Sequence, residues 1–505
     1  PPQWYELYKT NFRPTRVEDV KDEPPQSLNL PNRLKQIFIF ATRDTLSKLS
    51  NKQYLLINLL EAPLLAIILA VIIKYKSAPG GEEYLFRFNE NFPAFLLMSI
   101  IVALFMGLTV SAEEIIRDRK ILRRESFLNL SWNSYLMSKI TILFALSAIQ
   151  TFSFVVIGML ILEMEWAMLF PFWFVLFTTS CFACVLGLNI SSAFNSAVTV
   201  YVMIPLLLIP QMILSGLLFS FDKLNSIIST KGKVPVVADM MASRWAYEAL
   251  VVDQFVNNKF EKPFYKYDKY ESQADFHASF LANELEKKRK YISDNKDEKS
   301  DSIRQIIKKD LDIIKSTIEQ DFYKKGLEVD LKAEWTIEKF TPEFNKKLED
   351  FIAAYKKFYQ DAFNIAVSQR EALIVKMENN KNGNYRLNDI KNQYFNESLA
   401  DLVKNVSEKD RIIEYQGKLY QQINPIFVDP RPSSSLDYRA HFFAPQKNLL
   451  GTMVSTFLFN NLVIWLMTIV LYATLFFELL RKLIIAFEGM PGKLKSSGRK
   501  QTKNE

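Results

Sequence analysis

Residues 113–139 read EEIIRDRKILRRESFLNLSWNSYLMSK, a dense charge block that lies directly between two long apolar runs. Its first half alternates acids with bases: Glu113, Glu114, Asp118 and Glu125 with Arg117, Arg119, Lys120, Arg123 and Arg124. Each ionised side chain at the centre of a bilayer costs about 2.5–3.5 kcal/mol even on insertion scales. The block therefore cannot lie in hydrocarbon. It predicts a short helical elbow at the cytoplasmic face of a membrane protein.

The apolar runs on both sides of this block are long enough to cross a membrane, which takes about 20 residues. The sequence predicts six spans, at approximately 54–74, 92–112, 135–162, 168–188, 196–220 and 449–479. Lys and Arg are abundant in the elbow and in the C-terminal tail, so the positive-inside rule puts both termini in the cytoplasm. Lys74 and Lys76 in the first loop oppose this assignment weakly. We expect an all-α, multi-pass protein of the inner membrane.

The composition agrees with a membrane protein that carries a soluble insert. Of the 505 residues, 49% are hydrophobic and 23% charged, but the apolar residues are concentrated in two blocks around a polar middle. The net charge of +8 is shared among the cytoplasmic flanks and does not imply nucleic-acid binding. The insert contains no Cys, which excludes a disulfide framework there.

The chain divides into segments of different character. Residues 1–30 are polar and Pro-rich and predict a linker; because the chain begins at Pro1 without Met, we expect a longer polypeptide. An amphipathic helix is predicted at 31–52, lying on the cytoplasmic leaflet, with a surface helix of a soluble domain as the alternative. The remaining segments are the first transmembrane region at 53–220, the extracytoplasmic region at 221–448, the last transmembrane helix at 449–480 and the basic tail at 481–505.

Apolar stripes at helical spacing mark the middle of the extracytoplasmic region. There are two such stripes, and each predicts one helix. The two helices are expected to pack as a small bundle or hairpin. The alternative is a groove for a protein partner. The stripes consist of Ile306, Ile307, Leu311, Ile314 and Ile318, and of Leu348, Phe351, Ile352, Tyr355 and Phe358.

Signals for chemistry in this chain are few. There is no G-x-x-x-x-G-K-[ST] phosphate loop, and the two His residues, His277 and His441, are far apart, so we assign no catalytic and no metal-binding residue. Cys181 and Cys184 suit close helix packing better than redox chemistry. Glu61 is a carboxylate inside the first span, either functional or paired near the cytoplasmic end. Four further sites, at Gln150, Asn189, Asn195 and Asn460–Asn461, predict hydrogen bonds between helices.

Three short motifs carry a resemblance to one family. Asp118–Glu125, DRKILRRE, resembles the E-R-x-x-F-x-R-E pattern of the ABCG (White-type) branch of type-2 ABC exporters, with Asp118 and Leu122 replacing the usual Glu and Phe. Asn129, Leu130, Tyr135 and Lys139 are similar to the version in bacterial relatives, and the stretch FNNLVIWLMTIVLYATLFFELLRK at 459–482 resembles a Bacteroidota-type half-transporter. The other two motifs are S-G-L-L at 215–218 and SRWAYEAL at 243–250, which resembles P-R-Y-x-x-x-A-L of a re-entrant stretch. The resemblance covers 31–255 and 440–480, but not the insert at 257–440.

The resemblance implies a half-transporter that works as a homodimer among membrane lipids. Its nucleotide-binding domain, fused upstream of the linker or separate, would bind ATP and Mg. The elbow would be the coupling element, with Glu113, Asp118, Arg119, Arg124 and Glu125 at the contact. Interleaved charges suit that task because they set register at an interface. The alternative, a plain positive-inside anchor, explains the bases but not the acids.

The resemblance also implies a transport path. Leu217 and Leu218 would form an apolar gate on the dimer axis, and a slot would be lined by Ser99, Met106, Ile209 and Met212. These side chains favour lipid-like or amphipathic cargo, exported across the inner membrane. The competing hypothesis is an envelope assembly platform, in which the helical insert recruits an extracytoplasmic protein partner.

Overall fold

The computed structural model describes residues 2–12, 31–75, 84–125, 130–225, 227–228, 234–321, 335–379, 387–415, 417–432 and 434–488. Most of the predicted linker, Lys76, Asn129 of the family motif and the end of the basic tail lie outside these ranges. The described start of the predicted linker is helical: α1 spans Pro2–Asn11 and is exposed along its length. A Pro in the first turn is compatible with a helix start, and no other Pro or Gly interrupts this stretch.

The membrane part is built from helices in the predicted order. They are α2 (Arg33–Ser50), α3 (Lys52–Ile73), α4 (Phe92–Ser111), α5 (Glu114–Glu125), α6 (Trp132–Leu162), α7 (Leu169–Ala193), α8 (Ala197–Ile213) and, after the insert, α17 (Thr456–Phe476) and α18 (Leu479–Glu488). Five described segments are long and apolar enough to cross a membrane; they contain α3, α4, α6, α7 and α17. The elbow is helix α5, as predicted, and the all-α membrane fold is confirmed.

The predicted fifth span differs from the other five. Helix α8 has 17 residues, which gives a length of about 25 Å against a hydrocarbon core of about 30 Å. Pro210 lies near its end, and Gly216 adopts a φ of 94°, a left-handed conformation that favours glycine. The predicted span at 196–220 therefore ends early, and 214–220 form an irregular turn.

Small residues allow α4 and α7 to approach each other closely. A Cβ atom added to Gly107 would lie 2.6 Å from the carbonyl oxygen of Ser180 and 2.7 Å from Cβ of Ala183. Cys184 is on the same face of α7, and both Cys181 and Cys184 are free and buried. The two cysteines thus lie in a packed helix interface, as predicted.

Polar side chains join the spans. Gln150 on α6 donates to the backbone oxygen of Asn58 on α3 at 2.8 Å, and Asn189 on α7 donates to that of Leu471 on α17 at 2.9 Å. Asn460 donates to the backbone oxygen of Trp245 at 2.9 Å. These contacts confirm the predicted hydrogen bonds between helices for Gln150, Asn189 and Asn460. Asn461 instead donates to the backbone of its own helix, and Glu61 is half-buried.

The bundle has two distinct ends. At one end α2, α5 and α18 surround the start of α6 and the end of α7; the backbone N–H of Ser131, for example, donates to the Gln36 side chain at 2.9 Å. At the other end the insert rests on the loops: Arg87 pairs with Glu397, and the N–H of Lys259 donates to Glu165 at 2.9 Å. The elbow and the insert therefore lie at opposite ends, as predicted from the sequence.

The region predicted to be extracytoplasmic is mainly helical, as expected. Its helices are α9 (Val236–Asp239), α10 (Ala242–Val256), α11 (Glu261–Asp275), α12 (Ala282–Asn295), α13 (Asp301–Asp321), α14 (Pro342–Glu378), α15 (Leu387–Tyr394) and α16 (Glu397–Lys404). Two antiparallel hairpins follow, β1 (Ile412–Tyr415) with β2 (Lys418–Gln421), and β3 (Gln446–Leu449) with β4 (Thr452–Ser455). Helix α10 carries the SRWAYEAL motif and is buried against α17, α7 and α4.

The insert has a hydrophobic core of its own, formed by α11 to α14. Ile307, Ile314, Leu348 and Ile352 are buried in it, which confirms the predicted helical bundle. Ile306 and Phe358 are exceptions, because each is exposed on the outer face. A stripe read at a strict helical period overestimates the buried arc when a helix packs on one side only.

Candidate coupling junction

Helix α2 presents a polar face, not an apolar one, to the rest of the protein. Gln36, Phe40, Asp44 and Lys48 recur every four residues and are buried. The apolar side points away: the exposed large side chains are Leu34, Phe38, Ile39, Leu46 and Leu49. An exposed apolar stripe is the arrangement expected of a helix that lies in the membrane interface, where the stripe contacts lipid.

The buried face of α2 takes part in an ionic cluster that we call the junction, formed by Asp44, Lys48, Glu114, Asp118 and Lys139. Lys139 is at its centre, with Nζ 2.6 Å from Asp44 Oδ1, 2.9 Å from Glu114 Oε2 and 2.8 Å from Asp118 Oδ2. Lys48 lies 2.9 Å from Asp44 Oδ2 and 3.2 Å from Glu114 Oε2. The junction thus connects α2, α5 and α6 through buried ion pairs.

Because the junction is buried, the loss of any one of its charges destabilises the whole cluster. The side chains of Lys139 and Glu114 are each only 2% exposed. Removing one partner from a buried ion pair leaves an uncompensated charge, which costs about 3–5 kcal/mol. Burial by itself raises the pKa of Asp44, but the ammonium groups of Lys48 and Lys139 more than offset it and hold that pKa below its usual range. Asp44 therefore stays ionised and holds α2 in place.

Two aromatic residues support the junction. The hydroxyl of Tyr135 donates to Asp118 Oδ2 at 3.1 Å, one helical turn from Lys139 on α6. The ring of Tyr135 contacts Phe40 of α2 edge-on, with centroids 5.8 Å apart. The charges are thereby shielded on the α2 side by apolar surface, which strengthens their attraction.

Four of the five predicted coupling residues bind within the protein itself. Asp118 belongs to the junction. Arg119 donates to the backbone oxygens of Ser191 at 3.1 Å and Ser192 at 2.7 Å, where a cation stabilises the C-terminus of α7. Glu125 pairs with Arg43 of α2 at 2.7 Å. Glu113, half-buried in the turn before α5, hydrogen-bonds to the side chain of Tyr201 on α8. Arg124 is exposed.

The orientation of α5 accounts for its alternating charges. Its acids Glu114 and Asp118 point inward to lysines of neighbouring helices. The exposed side of α5 is cationic and includes Arg117, Lys120, Arg123 and Arg124. The alternative hypothesis, a plain positive-inside anchor, does not explain why the elbow contains acids. In the structure these acids attach the elbow to α2 and α6. The outward surface is then complementary to an acidic partner.

The structure does not bring the predicted slot residues to one surface. Ser99 and Met106 are fully buried inside the protomer, whereas Ile209 is 50% exposed and Met212 is half-buried. Leu217 and Leu218, the predicted gate, lie in the irregular turn after α8; Leu217 is half-buried and Leu218 is exposed. The gate and slot assignments remain predictions.

Sequence reasoning missed Asp44, Lys48 and Glu114 as members of the junction. A usable signal was Lys139 itself, because a Lys inside an apolar run needs a buried counter-ion.

A second missed group lies at the opposite end, where Glu248 of α10 is fully buried and accepts from Lys447 and from Asn460 at 2.9 Å. No local sequence pattern connects Glu248 with Lys447, which are 199 residues apart.

No metal site accompanies these clusters in the part of the chain that the structure describes: no group of three or more His, Cys, Asp or Glu side chains is placed to hold an ion.

Comparison with known proteins gives one positive finding. Residues 35–255, from α2 to the end of α10, match the family described as ABC-2 type transporter. The insert and α17 lie outside the matched range. No curated protein matches the chain.

Replacing Lys139 by Met tests the junction. The substitution keeps the volume of the side chain but leaves three buried carboxylates without their shared cation. We expect a loss of about 3–5 kcal/mol in stability, seen as a markedly lower melting temperature of the detergent-solubilised chain. The exposed Arg124→Met is the matched control and should melt within about 0.5 kcal/mol of the parent. Equal melting of the two variants contradicts the junction.

Proposed function

Residues 35–255 belong to the ABC-2 type transporter family, and from this premise we propose that the chain is the membrane domain of an ATP-driven exporter. Membrane domains of this family have a role in transport and generally work with a nucleotide-binding domain. The chain contains no phosphate loop, so the ATPase that drives it is a domain outside the sequence given, with ATP and Mg bound there.

The observation that carries the proposal is the junction beneath a cationic elbow. A coupling element must receive force from a partner and pass it to the spans without bending. Lys139 on α6 binds carboxylates from both α2 and α5, so the three helices respond to a push as one body. Packed groups with discrete arrangements transmit small displacements in this way. The exposed Arg123 and Arg124 then supply the contact with the ATPase domain.

The proposed working unit is a homodimer. Helix α8 buries Val200, Ile204 and Gln211 against its own bundle, and most of its exposed side chains are apolar. The large exposed hydrophobic side chains of α8 are Val198, Tyr201, Val202, Leu206, Ile209 and Ile213. We propose that a second copy covers part of this surface, with the translocation slot between the two α8 helices. Ile209 and Met212 then line the slot, while the buried Ser99 and Met106 shape it from behind.

The cargo that suits this slot is lipid-like or amphipathic. The exposed surface of α8 offers aliphatic and aromatic contacts, with Thr199 and Tyr201 as its polar side chains. A sugar or an ion would need convergent polar groups that this surface lacks among the described residues.

Arg124→Glu tests the contact with the ATPase domain. Reversing one charge on the cationic face of α5 should reduce transport-coupled ATP hydrolysis at least tenfold, because like charges then face each other across the contact. The measurement is ATP hydrolysis and uptake of a fluorescent lipid by inside-out vesicles that contain the chain with its ATPase domain. Lys482→Glu, an exposed cation of α18 at the same end, is the control. Full activity of Arg124→Glu would overturn the coupling role.

The second candidate function is an envelope assembly platform, which one observation favours. The insert has its own hydrophobic core, separate from that of the spans, as expected of a module with a binding task.

A shortened insert separates the two functions. The amide oxygen of Asn283 accepts from Lys356 at 3.0 Å, so residues 283 and 356 lie side by side and a short Gly-Ser linker can replace 284–355. An exporter should keep ATP-driven lipid uptake in this variant. A platform should lose a co-purifying extracytoplasmic protein while its ATPase activity stays unchanged, and that result would favour the second function.

A further inference from the structure

A large cavity lies between the insert and the predicted gate. Its volume is about 810 Å³, which is within the range of small-molecule sites. The floor is the turn after α8, including Gly216 and Leu217. The walls come from α11, α13, the β1–β2 hairpin and the segment 425–443. Most of this wall lies outside the part of the chain that matches the transporter family.

The insert is attached to the gate turn at the cavity floor. Gly216 touches the ring of Phe442 so closely that a Cβ atom at Gly216 could not be accommodated. Phe442 in turn packs edge-on against Phe221, with ring centroids 4.9 Å apart, and against Phe443 at 4.1 Å. The cavity and the predicted gate therefore share one aromatic wall.

The polar lining of the cavity is almost balanced in charge. Its cations are Lys223, Lys269, Lys418, Arg431 and Arg439, and its anions are Asp222, Glu408, Asp429 and Asp437. Lys269 binds both carboxylate oxygens of Asp429, at 2.6 and 2.7 Å. Lys223 lies 3.3 Å from Glu408. A wall of this kind offers partners for both signs of charge and does not select a strongly anionic or cationic ligand.

The cavity also has an apolar part that a polar solute would not use. Phe276, Phe427 and Leu402 contribute to its lining together with the aromatic wall at the floor. Both His residues of the chain, far apart in sequence, line the same space: His441 Nε2 lies 2.8 Å from the backbone oxygen of Pro425, and His277 Nδ1 lies 2.6 Å from the hydroxyl of Tyr355. These imidazoles are held by the protein and add rigid, mixed-polarity surface.

We propose that this cavity binds a single-chain amphiphile with a zwitterionic headgroup, as the first extracytoplasmic site of the exported cargo. The inference rests on the proposed function. The acyl chain lies on the aromatic floor, and the headgroup places its phosphate near the cations and its ammonium near the carboxylates. The volume suits one chain with a small headgroup, and the position places the ligand directly beyond the gate.

Photo-labelling of the full chain in nanodiscs tests the site. The probe is lysophosphatidylcholine with a diazirine in its acyl chain, added without ATP. We expect saturable labelling of peptides from 216–223 and 425–443. Ser316→Trp, which places an indole at the cavity wall, should raise the half-saturating concentration at least tenfold. Ser368→Trp, on the exposed face of α14, should leave it unchanged. If Ser316→Trp does not fold, Gln273→Trp, also at the wall, replaces it with the same expectation.

Three results would overturn the proposal. One is labelling confined to the spans, which is ordinary lipid contact, and another is equal half-saturation in the two Trp variants. The third is stronger competition by lysophosphatidylglycerol than by unlabelled lysophosphatidylcholine. The test is independent of the transport assay: saturable cavity labelling without ATP-driven lipid uptake would contradict the exporter, while uptake without cavity labelling would contradict this site alone.

Discussion

The structure depends on one lysine. Lys139 is near the start of a 31-residue apolar helix, where its charge has no access to water, and three carboxylates from two other helices surround it. If its ammonium group is to be ionised there, α2 and α5 must both be in place. The same lysine therefore determines where the interfacial helix attaches and how the elbow is rotated. That rotation sends the acids of α5 inward and leaves its bases on the surface.

The way in which α5 is held connects its alternating charges with its proposed coupling role. The elbow is not a flexible loop but a short helix tied to the spans by buried ion pairs and to the end of α7 by Arg119. A force applied to its cationic surface reaches α6 and α7 directly. At the opposite end, α10 is tied to the last span through Glu248, Lys447 and Asn460. Between these two ends α8 buries only Val200, Ile204 and Gln211 within the protomer.

Much of the fold could be predicted because its causes are local. Apolar runs of sufficient length give α3, α4, α6, α7 and α17, and charge asymmetry puts the elbow and the tail at one end. The exception is α8, where Pro210 and the left-handed Gly216 end the helix within an apolar run that looked continuous. Hydropathy alone does not register backbone conformation, so the predicted fifth span was too long.

The site was less predictable because it depends on contacts between distant segments. The motif correctly located the elbow, but only side-chain orientation shows that Asp118 and Glu125 bind Lys139 and Arg43. The charged residues Asp44 and Lys48 lie on the buried side of the amphipathic helix α2, a position that the pattern of its sequence does not indicate. The cavity beside the insert is assembled from segments that are far apart in the sequence, so no local sequence pattern predicts it.

The central claim is that α2, α5 and α6 move as one body when ATP binds. Spin labels on cysteines placed at Ile39 of α2 or at Lys120 of α5 report this by electron-electron distance measurements across the proposed homodimer. Both positions are exposed, and the native cysteines are buried. The account predicts that ATP shifts both distances together. A shift at Lys120 with Ile39 unchanged, or no shift at either position, would contradict it.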